Sequence, residues 1–197
     1  MASIALFFSL LTSFLFTSTM AIASSNQNPT SFIRSSCSRT LYPGLCCASL
    51  WPFAGQVGTD SVLLSRFAMN VTVSRLKPLS AKISSLRRRA SLAPLSSGGV
   101  VTSAMKDCGG LISDAADLVK KSEKELTGLE GMVGPEVTWR IANAQTWLSA
   151  AITDEGTCTD EFGNGDGEEF ERVRKKVKRA EQLTSNALAL VNCLVNS

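Results

Sequence analysis

The chain has no histidine among its 197 residues. That absence removes Ser-His-Asp and Cys-His catalysis and the most common metal ligand. It also removes the Glu-x-x-His motif with which four-helix bundles hold paired metals. A strong charge of either sign is missing too. Twenty Lys and Arg against seventeen Asp and Glu leave +3, too little to argue for a nucleic-acid partner. No acidic pair is fixed by its spacing in a recognisable site, so no nucleophile–base set suggests an enzyme. No cofactor or metal is expected.

Six cysteines are the loudest feature that is present. Their meaning depends on the compartment, which makes the N-terminus decisive. Residues 1–23 carry no charge, Ile4 to Phe16 is rich in Ile, Leu, Phe and Ala, and Ala21-Ile22-Ala23 offers small residues to a signal peptidase. The reading is a signal peptide over 1–23 and a single domain over 24–197. A membrane anchor is the rival, weakened by six Ser and Thr between Ser9 and Thr19. A secreted chain has its cysteines read as bridges, and six allow ~15 pairings.

The stretch around which the rest is organised runs from Ser97 to Leu126. Val101, Ala104, Cys108, Leu111, Ala115 and Leu118 recur at spacings of three and four, the period of an apolar helical stripe. Such a helix is about 40 Å long at ~1.5 Å per residue and needs long partners to bury its stripe.

Three further segments supply them. Asp60 can cap a helix that carries Leu64, Phe67, Val71 and Arg75, then Ile83 and Leu86, with Pro78 kinking or interrupting it. Pro135 opens a helix marked by Trp139, Ala142 or Asn143, and Trp147, ending near Thr153. Phe170, Val173, Val177, Ala180, Thr184, Ala187, Val191 and Leu194 form the last stripe. The fold class is therefore all-α, an up-down-up-down four-helix bundle over 57–197. Before it, residues 24–56 form an extension holding a helical hairpin. There Pro43-Gly44 reads as a turn, with Cys37 and Cys46 on either side in a position to staple it. Two buried thiols is the other reading. Residues 51–59 read as loop.

Several smaller features have bland and functional readings. Asn70-Val71-Thr72 is a glycosylation sequon whose helical setting leaves occupancy open. Asp160 to Gly167 lacks the ligand order of a calcium loop and reads as a turn placing negative charge before a helix. Arg87-Arg88-Arg89 reads as a solvated helix end. The bases from Arg172 to Arg179 read as a solvated face, with docking to an acidic polymer or partner as the alternative.

Four blocks resemble one family. Ser36-Cys37-Ser38-Arg39-Thr40-Leu41-Tyr42-Pro43, followed by Cys46 and Ser49-Leu50, is similar to the opening of the plant invertase/pectin methylesterase inhibitor family. So is Lys106-Asp107-Cys108 with Asp114 to Leu118, although Gly109-Gly110-Leu111 stands where the family usually has a Glu and a Tyr. The run from Ala142 to Ala151, then Thr157-Cys158 and Phe162, resembles its third block, and Leu183 to Leu190 its closing block. The resemblance implies a second bridge, Cys108 to Cys158, with Cys158 in the loop after the third helix. It assigns no partner to Cys47 or Cys193.

The resemblance implies a secreted, apoplastic inhibitor that docks bundle helices over the active-site cleft of a cell-wall enzyme, with no covalent step. Pectin methylesterase, bound 1:1, is the expected target. The alternative is an acid invertase. Invertase-directed members carry Pro-Lys-Phe at the start of the third helix, where this chain has Pro135-Glu136-Val137. The implied interface lies on the second and third bundle helices, with Asp114, Asp117 and Lys121 on one and Asn143 and Thr146 on the other, all outward by helical phase. A structural or pectin-binding wall protein is a further alternative. The chain ends after its fourth helix, so no catalytic domain is expected to follow, and no membrane association is expected after signal cleavage.

Overall fold

The computed structural model describes residues 28–92, 98–161 and 168–196. The expected signal peptide, the turn before the second bundle helix, Phe162 and most of the acidic Asp160–Gly167 stretch lie outside the described residues. All regular structure among the described residues is helical.

Two short helices form the N-terminal hairpin, α1 (Pro29–Cys37) and α2 (Pro43–Leu50). Asn28 caps α1, its Oδ1 accepting from the Thr30 N–H at 3.1 Å. Each helix opens on a proline, which gives up nothing there because the first helical N–H has no intrahelical partner. The chain therefore reverses before Pro43, and Gly44 is an ordinary helical residue with negative φ. This corrects the expected Pro-Gly turn. Cys37 and Cys46 are buried and joined, their Cα atoms 5.5 Å apart.

A 3₁₀ turn (Trp51–Phe53) and α3 (Ala54–Val57) occupy the expected loop. Ala54 and Val57 reach the core and Phe53 stacks on Phe67 at 5.1 Å, so burial overrides the local Pro and Gly signals. Gly58, at φ +58°, ends α3 in a conformation that side chains disfavour and delivers the chain to Asp60. Asp60 Oδ1 then accepts from the Leu63 N–H at 2.8 Å and starts α4 (Ser61–Ser91).

With α5 (Gly98–Leu126), α6 (Pro135–Glu161) and α7 (Glu168–Cys193), α4 makes a four-cornered bundle. The adjacent pairs are α4–α5, α5–α6, α6–α7 and α7–α4. The α5/α6 and α4/α7 sides therefore face in opposite directions. One continuous core runs from Ile33 of the hairpin to Val191.

The positions that face this core differ from the expected ones in three helices. Along α4 the buried residues include Met69, Thr72, Leu76 and Leu79, while Arg75 is exposed. Pro78 does not interrupt α4. It lies on the solvent side, and the buried residues around it hold the helix together despite one missing hydrogen bond. In α5 the deepest residues are Met105, Cys108, Ile112, Ala115 and Val119, with Leu111 and Leu118 on the margin. In α6 the core positions are Ile141, Ala144, Leu148, Ala151, Glu155 and Cys158. Trp139 is 63% exposed and Trp147 half-buried. Small Ala144 and Ala151 let α6 approach its neighbours where an indole would hold it off. The helix also continues to Glu161, so Cys158 is helical and not in a loop. It meets Cys108 across the α5–α6 contact with the Cα atoms 4.3 Å apart.

Two polar contacts fix the packing. Gly109 lies so close to α4 that a Cβ there would sit 3.4 Å from Ile83 Cγ2, and its carbonyl accepts from Ser80 Oγ at 3.0 Å. Buried Asn186 of α7 holds the hairpin turn by both backbone polar groups of one residue. Its Oδ1 accepts from the Tyr42 N–H at 3.1 Å and its Nδ2 donates to the Tyr42 carbonyl at 3.0 Å.

Candidate functional site

The α5/α6 pair is tied by a disulfide and by polar contacts spread along its length. The Cys108–Cys158 bridge joins the two helices near one end. Near the other, buried Ser122 Oγ lies 3.1 Å from the Ala144 carbonyl of α6 and 3.0 Å from the Leu118 carbonyl of its own helix. Past the end of α5, Arg140 Nη2 donates to the Thr127 carbonyl at 3.0 Å and to the Lys124 carbonyl at 3.3 Å. A cation there gives the last carbonyls of the helix an added donor and suits the negative end of the helix dipole. Arg66 of α4 braces the same region, reaching Glu123 and Glu130, each at 2.8 Å.

The outer surface of this pair carries the residues that the sequence places there. Asp114, Asp117 and Lys121 are exposed on α5, and Thr146 is exposed on α6. Asn143 is half-buried, which corrects its expected outward placement: it sits on the flank of α6, between crest and core. A shallow groove of about 500 Å³ is lined by Asp114, Asp117 and four further α5 residues, Lys120, Lys121 and Lys124 among them.

Lys121 Nζ lies 5.2 Å from the Trp147 ring centroid, within cation–π range, so the two helices meet at this surface as well as in the core. The Asp154 carboxyl is raised above its ordinary range, first by burial and then by the Asp114 charge across the helix pair. The resulting face combines acids, bases and one half-covered indole. Gln145 takes no part in it: its Nε2 donates to Asn192 Oδ1 of α7 at 2.9 Å.

Trp147 and Asp154 are the members that sequence reasoning missed. Trp147 falls four residues after Asn143, and Asp154 seven after Trp147, all on one helical side. The spacing is present in the sequence, but Trp147 also fits the core stripe, and a helix end near Thr153 leaves Asp154 outside it.

The remaining sequence-selected residues are dispersed. Asn70 is exposed on α4, and Cys47 and Cys193 are half-buried. The basic run of α7 is partly neutralised within its own helix. Arg172 pairs with Glu168 and Glu169, Arg174 with Glu171 and Lys178 with Glu181. Among the described residues no group of His, Cys, Asp or Glu is placed to hold a metal ion. No described helix is long and apolar enough to cross a membrane.

The sequence profile of the family described as plant invertase/pectin methylesterase inhibitor matches residues 31–190. The chain belongs to that family. Among its relatives, a carrot protein named "21 kDa protein" is 36% identical over 163 residues, which are 82% of each chain. "Pectinesterase inhibitor 11" of Arabidopsis thaliana is 35% identical over 86% of this chain and 83% of its own. In fold, the chain is similar to the crystal structure of a mutant form of a pectin methylesterase inhibitor from Arabidopsis. The TM-score is 0.60, with 17% identity over 79% of this chain and 92% of that one. The match supports the all-α inhibitor fold.

Proposed function

We propose that this chain is a secreted inhibitor of pectin methylesterase that lays its α5/α6 face over the enzyme's active-site cleft, 1:1, reversibly and without a covalent step. The observation that carries this reading is its 35% identity to a pectinesterase inhibitor along 86% of its length. Residues 1–23 supply the leader to the apoplast and cell wall in this reading, and Asn70 stands exposed on α4 for a glycan.

The chemistry of the face fits steric blockade. Four fixed points hold α5 against α6, so little conformational freedom is lost on docking. Asp114, Asp117, Lys121, Thr146, Trp147 and the flank of Asn143 offer mixed charge around an aromatic anchor, a pattern suited to a specific interface. Pro135-Glu136-Val137 argues against the invertase branch. Glu136 reverses the charge of the Lys in the motif it replaces, and Val137 is smaller than the Phe.

Titration of purified protein against a pectin methylesterase and an acid invertase, in separate assays, tests the target. Loss of esterase activity saturating at one inhibitor per enzyme is expected. Inhibition of invertase alone would overturn the reading.

A further inference from the structure

The α4/α7 side, opposite the proposed enzyme-binding face, carries a groove of about 580 Å³, within the usual range for ligand sites. Its floor is apolar, with Val71 and Leu79 of α4 and Leu183 of α7, and the end of α2 closes part of one wall. Four cations line it: Arg75 and Lys82 from α4, Lys176 and Arg179 from α7. Among the described residues no carboxylate lines it. Lys82 is anchored by Glu169 at 2.9 Å. Arg75, Lys176 and Arg179 are exposed and have no ion-pair partner among the described residues.

The groove also offers hydrogen-bonding groups that a simple basic patch lacks. Pro78 lines it together with Ser74. Because Pro78 has no N–H, the Ser74 carbonyl loses its usual helical donor four residues on. An acceptor is thereby left in the groove lining beside Ser49 and Ser74, whose hydroxyls donate to the Cys46 and Val71 carbonyls at 2.9 and 2.6 Å and keep only acceptor capacity. Cations on two facing walls, hydroxyl groups and a spare acceptor match a ligand that carries both carboxylates and hydroxyls along its length.

We infer that this groove is a second binding site, for a stretch of acidic polysaccharide of the polyuronate class. The bases would meet the carboxylates, and the Ser74 carbonyl and the serine hydroxyl oxygens would accept from the sugar hydroxyls. The choice of a uronate over other polyanions rests on the inhibitor reading, since removing methyl esters from pectin leaves uronate carboxylates. Because the two sites occupy opposite sides of the bundle, one molecule can hold polymer and enzyme together.

The test measures binding of a de-esterified oligogalacturonate to the full chain by calorimetry, without enzyme. The Arg75→Gln/Lys176→Gln/Arg179→Gln variant and a control variant, Lys77→Gln/Arg88→Gln/Lys106→Gln, are compared, with esterase inhibition and melting temperature read separately. Three exposed charge contacts lead to an expected loss of about tenfold in affinity for the groove variant. Its melting temperature and its behaviour towards the esterase should match the parent chain. The fully methyl-esterified oligomer should bind weakly, and added salt should weaken the de-esterified one. Equal loss in the control variant, equal binding of the methyl ester, or no binding by the parent chain would each overturn the proposal. A chain that binds polymer and leaves the esterase active would instead refute the inhibitor reading.

Discussion

Glu155 is fully buried at the α6–α7 contact, one turn before the bridged Cys158. Thr184 Oγ1 lies 2.8 Å from its Oε1 and 3.2 Å from the Ala180 carbonyl, and Oε2 has no hydrogen-bond partner. A threonine hydroxyl has one proton. A neutral Glu155 that donates to Thr184 lets Thr184 donate to Ala180, and both acceptors are satisfied. Burial is the main force pushing the carboxyl up to about 8 from 4.5, opposed by the hydrogen bond that Thr184 can give the ionised carboxylate and helped by Glu181 and Asp154. Between those two values the folded chain binds the proton and the unfolded chain does not. This contribution to stability is therefore complete below about 4.5 and is lost as pH rises to about 8. Its slope is at most about 1.4 kcal/mol per pH unit. Glu155→Gln preserves the shape and supplies a permanent donor. Denaturant midpoints measured across this range should decline with pH in the parent chain and decline less in the variant.

Among the elements, the hairpin is the one most dependent on a distant contact. Helices α1 and α2 are nine and eight residues long, too short to persist alone in water. Their bridge ties them to each other, while Asn186 ties their turn to α7 through two hydrogen bonds to Tyr42. Replacing Asn186 with alanine leaves the Tyr42 N–H and carbonyl without these partners. A loss of about 2 kcal/mol is expected, accompanied by faster amide exchange through Ser38–Tyr42. The α5–α6 amides should stay protected, because Cys108–Cys158, Ser122 and Arg140 hold that pair independently. Uniform loss of protection throughout the bundle would show that the hairpin is instead integral to its stability.

At the scale of the whole molecule, the proposed inhibitor face and the proposed polymer groove lie on opposite sides of one core. Asp117 stands exposed on the α5/α6 face, away from the ion pairs that brace the bundle. Its reversal, Asp117→Lys, is expected to weaken esterase inhibition about tenfold, as expected for an interfacial charge placed beside a like charge. The melting temperature should be unchanged. An unaltered inhibition constant would move the interface elsewhere on the protein.

The period-three-and-four pattern determined by itself that this chain forms four long helices around an apolar core. The family blocks pointed to the class of inhibitor. Local sequence also carried the Asp60 cap, because a cap forms within one turn of its own helix. It did not carry the register of α6. Trp139 and Trp147 are the most apolar markers of that segment, yet Ala144, Leu148, Ala151 and even Glu155 take its interior. Which side of a helix is buried depends on how closely its neighbours approach, and small residues win where the helices are tight. The continuation of α6 to Cys158 was equally out of reach, since the Asp-Glu-Gly-Thr run before it is held in helix by burial of Glu155 and the bridged cysteine. The α4/α7 groove belongs wholly to the tertiary structure. Its α4 cations and its α7 cations are over ninety positions apart in the chain, and only the closing of α7 against α4 sets them around one space.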